Sequence, residues 1–188
     1  MAILNKESIK KFERFGGNII FDSLENHKDA KREELSPGIY AIMKEGSSKK
    51  HDLDAELYIV SDDKIEFPED SSNMFTGFFA HSIHLDNIDT SNVKNMASMF
   101  ALCCLAKHID VSKFNTDCVT DMSSMFRTCV QLEDLDVSSF NTDKCERMDW
   151  MFSGLNNLSS LDISKFNMLN VKDADYMFNL TDESKVIN

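Results

Sequence analysis

The sequence predicts an α/β repeat, a solenoid of four to five coils, each of about 26 residues, preceded by a small N-terminal α+β cap. Three observations carry that expectation. The dipeptide Met-Phe recurs in near-constant register at Met74-Phe75, Met99-Phe100, Met125-Phe126, Met151-Phe152 and Met177-Phe178. Alignment on these pairs turns the positions between them into apolar columns. Residues 1–70 contain no such pair and read as one amphipathic helix followed by strand-like runs.

The elements follow in chain order. Residues 5–15 place Ile9, Phe12 and Phe15 at helical spacing, and Gly16-Gly17 is the stop signal, so a helix is expected there. Residues 18–21, 38–43, 56–60 and 64–67 are short apolar runs separated by polar loops, and read as strands. A stacked repeat needs an element that shields its open end, which makes 1–70 a capping subdomain. From residue 71 the columns begin: Ile109, Leu135 and Leu161; Val111, Val137 and Ile163; Phe114, Phe140 and Phe166; Val119, Cys145 and Val171; Met122, Met148 and Ala174. The first half of each unit alternates apolar and polar residues like a strand. The second half, with Val119, Met122, Met125 and Phe126 at i, i+3, i+6 and i+7, reads as one face of a short helix. A strand, a turn and a helix of this length cannot bury their own apolar edge, so neighbours must stack into a leucine-rich-repeat solenoid over residues 71–180, with strands on the concave face and helices on the convex one. Residues 181–188 form a C-terminal tail.

The segments VSKFNTDCVTDMSSMFRTC, VSSFNTDKCERMDWMFSGL and ISKFNMLNVKDADYMFNL resemble the BspA-like leucine-rich repeats of bacterial surface proteins, over about residues 74–180. The resemblance implies the solenoid and a binding role, in which the repeats serve as a surface adhesion or host-interaction module. It implies no catalytic residue.

Composition narrows the function. Twenty Lys and Arg against 32 Asp and Glu give a net charge of −12, shared between residues 1–70 at −5 and residues 71–188 at −7. An acidic field repels phosphate backbones and anionic lipid and steers toward basic partners, so neither direct nucleic-acid nor membrane binding is expected. No stretch approaches the roughly 20 apolar residues of a membrane span. The apolar start is four residues long and is followed at once by Asn5, Lys6 and Glu7, which is no secretory core, and the expected location is the cytoplasm, bacterial or, for a phage-encoded chain, that of the host. Five cysteines, Cys103, Cys104, Cys118, Cys129 and Cys145, form no paired framework and read as reduced thiols. Asn157-Leu-Ser and Asn179-Leu-Thr are glycosylation sequons by letter only.

Strand alternation selects the candidate binding face. With Leu135 and Val137 pointing inward, Asp136 and Ser138 point out, and stacking aligns Asp110, Asp136 and Asp162 in one acidic row and Ser112, Ser138 and Ser164 in the next. His84 and Asp86 occupy the matching positions of the first coil. Such a row can recognise a cationic partner, or its carboxylates can serve the local turns through hydrogen bonds. Trp150 and Tyr176, each just before a Met-Phe pair, form a second candidate patch on the convex side.

Chemistry has few footholds. Local signatures of phosphate loops, nucleophile elbows and zinc proteases are absent. His81, His84 and Asp86, with Asp110 beside them, are the nearest approach to a metal-dependent site, and Cys103-Cys104 with His108 the nearest to zinc. His84, Asp86 and Asp110 share a face that could hold a divalent ion or form a His-carboxylate relay, with His81 at odd spacing to them, whereas the cysteine set lacks a fourth ligand and the standard zinc spacing; a surface histidine and buried thiols are the default, so no metal and no cofactor is expected. The reading that leads is a non-catalytic, acidic protein-binding module: an intracellular inhibitor, phage- or mobile-element-encoded and anti-CRISPR-like, that covers the basic nucleic-acid-handling surface of a defence enzyme. An adhesion module and a metal-dependent enzyme using His84 and nearby carboxylates are the alternatives. An exposed strand edge could also pair with a second copy.

Overall fold

The computed structural model describes residues 2–44 and 55–188. The strands in order are β1 (Ala2–Ile3), β2 (Asn18–Ser23), β3 (Glu33–Ser36), β4 (Ile39–Lys44), β5 (Glu56–Ser61), β6 (Ile65–Glu66), β7 (Ser82–Leu85), β8 (Ile88–Asp89), β9 (His108–Asp110), β10 (Leu161–Asp162) and β11 (Val186–Ile187). They form a six-stranded sheet in the order β3-β4-β5-β2-β7-β9, a three-stranded sheet β1-β6-β8 and a two-stranded sheet β10-β11. One α-helix, α1 (Lys6–Lys10), and two single-turn 3-10 helices at Leu24–His27 and Glu183–Lys185 are the only helices among the described residues.

This overturns the expected α/β leucine-rich-repeat solenoid. The chain is built from mixed sheets with almost no helix, and among the described residues no helix lies between positions 28 and 182. The cause is visible at the residue before each Met-Phe pair. Asn73, Ser98, Ser124, Trp150 and Tyr176 all have φ between 55° and 60°, and Gly77, Leu102, Thr128, Gly154 and Leu180, four positions later, have φ between 60° and 77°. Two left-handed residues so close together in every unit forbid the continuous right-handed conformation a helix requires. The apolar spacing that mimics a helical face belongs instead to a chain of tight turns.

The backbone hydrogen bonds explain why turns win. The N–H groups of Met122, Ser124, Phe126 and Thr128 donate to the carbonyls of Arg147, Asp149, Met151 and Ser153, each in the following unit, at 2.8–3.0 Å. The intervening N–H groups of Met125, Arg127 and Cys129 close local turns onto residues three back. A helix would consume all of these donors within one unit and leave neighbouring units joined only by side chains. The same alternation recurs from Ser71 to Gly154. Single-residue parallel bridges link Asp70, Asn95, Asp121, Arg147 and Asp173 in the same direction.

Side chains repeat this spacing in the core. Phe75, Phe100, Phe126, Phe152 and Phe178 stack nearly parallel with centroids 5.3–6.0 Å apart, and the first four are wholly buried. A buried polar ladder runs beside them. The hydroxyls of Thr90, Thr116 and Thr142 each accept the N–H and donate to the C=O of Asn115, Asn141 and Asn167 respectively, at 2.7–3.2 Å. Each threonine thereby satisfies two backbone groups of the following unit.

The N-terminal residues enter the same architecture. The helix expected over 5–15 ends at Lys10, capped by the Asn5 side chain accepting the Glu7 N–H at 2.8 Å. Residues 11–15 continue as turns, with Phe12 and Phe15 packed on the core. The strands expected near 18–21, 38–43, 56–60 and 64–67 appear as β2, β4, β5 and β6. β2 pairs in parallel with both β5 and β7, so the six-stranded sheet runs without a break from residues 33–61 into residues 82–110.

Candidate functional site

The six-stranded sheet and the units beyond it present one face in continuous register. β7 and β9 pair with Ile83 opposite Ile109 and His84 opposite Asp110. Ile83, Ile109, Leu135 and Leu161 all point into the core. Apart from the buried Ser82, the residues on either side of each face outward, and they line an open groove of about 520 Å³. Its polar walls are His84, His108, Asp110, Asp134, Asp136 and Asp162, with Ser159 and Ser160 at one end.

Each aspartate of the expected row uses one oxygen locally. Oδ1 of Asp110, Asp136 and Asp162 accepts the backbone N–H of Ser112, Ser138 and Ser164 at 2.9 Å in every case. The Ser138 hydroxyl and N–H hold the Asp136 carboxyl below the usual aspartate range, and the Ser164 pair does the same for Asp162, with Lys165 adding a weaker pull on both. Both stay ionised at neutral pH. None of the three forms an ion pair among the described residues. Service to the turn and a place in the groove lining thus coexist in each carboxylate.

His84 stands in this row. Its Nε2 lies 3.1 Å from the Ser82 hydroxyl, which donates to Asn18 Oδ1 at 2.6 Å. Asp86, Ser112, Ser138 and Ser164 are exposed but do not line the groove. His108 and Asp134 belong to the groove although the acidic row alone does not single them out. They face each other across neighbouring units, His108 Nδ1 3.0 Å from Asp134 Oδ1. The same alternation that exposes Asp110 exposes His108 two positions earlier, and one repeat on from His108 is Asp134. Among the described residues no three His, Cys, Asp or Glu side chains converge to hold a metal ion.

The family described as "Mycoplasma protein of unknown function, DUF285" matches residues 69–186, well over half of the chain. The chain belongs to this family. The match corrects the resemblance to BspA-like leucine-rich repeats, because the family that fits the repeats is DUF285 and not a leucine-rich-repeat family. Comparison with curated proteins and with solved structures finds no match.

The DUF285 region also contains the second candidate patch. Trp150 and Tyr176 stack at 4.5 Å between centroids, 23° from parallel, and the Arg127 guanidinium lies 4.6 Å from the Trp150 ring on the preceding unit. Trp150 is half-buried, while Tyr176 is 61% exposed. The cysteines lie apart from both sites. Cys103 and Cys129 are buried and donate to the Phe75 and Phe100 carbonyls at 3.1 Å, Cys104 faces the Thr128 carbonyl at 3.4 Å, and all five are free thiols. Cys103, Cys104 and His108 do not come together as a metal site, since His108 turns into the groove. No helix among the described residues is long and apolar enough to cross a membrane.

Proposed function

We propose that the chain is a non-catalytic, acidic protein-binding module whose groove seats a basic surface of a partner protein. The class of partner that suits it best is a nucleic-acid-handling protein, whose phosphate-binding surface has the density of Lys and Arg to face a row of carboxylates; occupation of that surface inhibits the partner. The reading rests on one observation: Asp110, Asp136 and Asp162 stand in register along an open groove, each held locally by the serine two residues on and with no cation ion-paired to it among the described residues. Adjacent strands are about 4.8 Å apart, and like charges at such a distance repel even in water-like surroundings. A cationic partner removes that cost and steers its own encounter. Asp134 extends the acidic wall by one further row.

Fluorescence anisotropy with a labelled oligo-arginine peptide tests the reading. Binding at low salt should weaken by about tenfold or more on raising the salt severalfold, as ion-pair contacts do. The combined Asp110→Asn, Asp136→Asn and Asp162→Asn variant should lose about tenfold or more, while Asp29→Asn, Asp62→Asn and Glu183→Gln together, with the same change in net charge, should lose little. Equal loss in the two triple variants, or no binding at low salt, would overturn the groove as the site.

A further inference from the structure

A second groove, of about 350 Å³, follows the left-handed positions of the first three turn units. The position before each Met-Phe pair supplies Asn73, Ser98 and Ser124, the position four residues on supplies Leu102 and Thr128, and Arg127 stands at one end. In the next two units the first of these positions holds Trp150 and Tyr176, large rings where the earlier units have small side chains, and the groove ends at their stack. It shares no lining residue with the acidic groove.

Its polar groups have few partners inside the protein. Among the described residues the hydroxyls of Ser98, Ser124 and Thr128 make no hydrogen bond, and the Arg127 guanidinium makes neither a hydrogen bond nor an ion pair. Arg127 is the single charged residue of the lining, on a chain whose net charge is −12. The guanidinium lies 4.6 Å from the Trp150 ring, and a guanidinium seated on a ring keeps its N–H donors free along its edge. The other end of the groove approaches Glu13, whose Oε1 would lie 3.8 Å from a Cβ placed on Gly77, so an anion is directed toward Arg127.

These groups select the ligand by elimination. Both faces of the Trp150 ring are covered, one by Arg127 and the other by Tyr176, which leaves it no platform for a nucleobase. Ala101 and Leu102 are the only apolar residues of the lining, too little for an acyl chain or an apolar peptide side chain. One cation and a row of hydroxyls, stepped by one unit or about 4.8 Å, suit an anion that carries hydroxyls of its own.

We propose that this groove binds a small acidic sugar, a hexose bearing a carboxylate or a phosphate ester, with the acidic group on the Arg127 guanidinium and the ring hydroxyls on Ser98, Ser124 and Thr128. Leu102 meets the C–H face of the sugar. Arg127 sets the sign of the ligand charge through charge-assisted hydrogen bonds. The hydroxyl row separates a sugar acid from a bare anion, because a site built to hydrogen-bond hydroxyls rejects a ligand that lacks them.

The test is an amide-shift titration of the isotope-labelled full chain with glucuronate, glucose 6-phosphate, glucose and inorganic phosphate, each to about 20 mM. At least one of the two acidic sugars should move the amides of Ser98, Ser124, Arg127 and Thr128 saturably, and the one that does assigns the acidic group. Glucose and inorganic phosphate should each bind about tenfold more weakly or worse, since each lacks part of the contacts. Arg127→Gln should weaken the acidic sugar about tenfold, whereas Lys113→Gln, an equal change in charge outside the groove, should leave it unchanged. The Ser98→Gly, Ser124→Gly variant should keep its folded amide spectrum and bind about fivefold more weakly. Unmoved amides with both acidic sugars, inorganic phosphate binding as tightly as the better acidic sugar, or equal loss in Arg127→Gln and Lys113→Gln would each overturn the proposal.

Discussion

Glycine at positions 98 and 124 separates the observed turns from the helices that the sequence suggests, because the sign of its effect differs. Ser98 and Ser124 hold φ at 55° and 57°. In that region an L residue pays about 1–2 kcal/mol against its Cβ, which glycine does not. Glycine also gives the unfolded chain more freedom, at a cost of about 0.4–1 kcal/mol. The difference favours the folded state by roughly 0.5–1 kcal/mol at each site, and because the backbone bond from the Ser98 N–H to the Ser123 carbonyl joins the two turns and survives both substitutions, the two single variants measure the coupling between them. Neither side chain makes a hydrogen bond that the substitution would break, since both serines act through their backbone N–H and C=O. The Ser98→Gly, Ser124→Gly variant should therefore gain about 1–2 kcal/mol in urea unfolding, with an unchanged slope, and melt several degrees higher. In a helix the same pair would lose roughly 1 kcal/mol, because glycine is among the poorest helix formers. A measured loss of that size would refute the left-handed turn as the structural unit.

Other outcomes follow from the ladders and the titrating groups. Thr116→Val keeps the shape of a residue that is 1% exposed but strands both the N–H and the C=O of Asn141, and should cost about 2–4 kcal/mol in the same assay; a loss below about 1 kcal/mol would mean that water replaces the hydroxyl. Acid should destabilise the fold, because serine hydroxyls and N–H groups hold Asp70, Asp136, Asp162 and Asp182 below their ordinary value of 3.8. A lowered folded-state pKa contributes stability that is present above 3.8 and is lost as pH falls through the folded values. At the alkaline end the sign reverses: burial pushes the Cys145 thiol up to about 11, and burial with the Glu56 hydrogen bond pushes Tyr58 up to about 12. Their contribution is whole below the ordinary values of 9.0 and 10.0 and disappears as pH rises through about 11 and about 12. Urea midpoints should thus fall on both sides of a plateau, and a midpoint near pH 3 equal to that near pH 6 would contradict the acid limb.

Much of the candidate site is legible in the sequence. The one-repeat step that separates Asp110, Asp136 and Asp162 is a property of the residues themselves, and alternation about Leu135 and Leu161 places them outside the core. The inward column at Ile109, Leu135 and Leu161 and the four strands within positions 1–70 are legible for the same reason: apolar spacing of two is a local signal. His108 and Asp134 obey the same rule and are accessible to it, although the neighbouring cysteines draw His108 into a different grouping.

The sequence by itself determined which residues recur, which of them face inward and which carboxylates share a row, because those facts depend only on spacing and on the cost of burying charge. Only the tertiary structure decided how the Met-Phe segments run. Their apolar spacing suits a helix as well as a chain of turns, and the choice is made by where every second backbone N–H finds its acceptor, which is a full repeat away in the neighbouring unit. The same long-range pairing decided that β2 joins β7, extending one sheet across position 70. Hydrogen-bond partners so distant in sequence leave no local trace, since any residue type other than proline can supply a backbone amide.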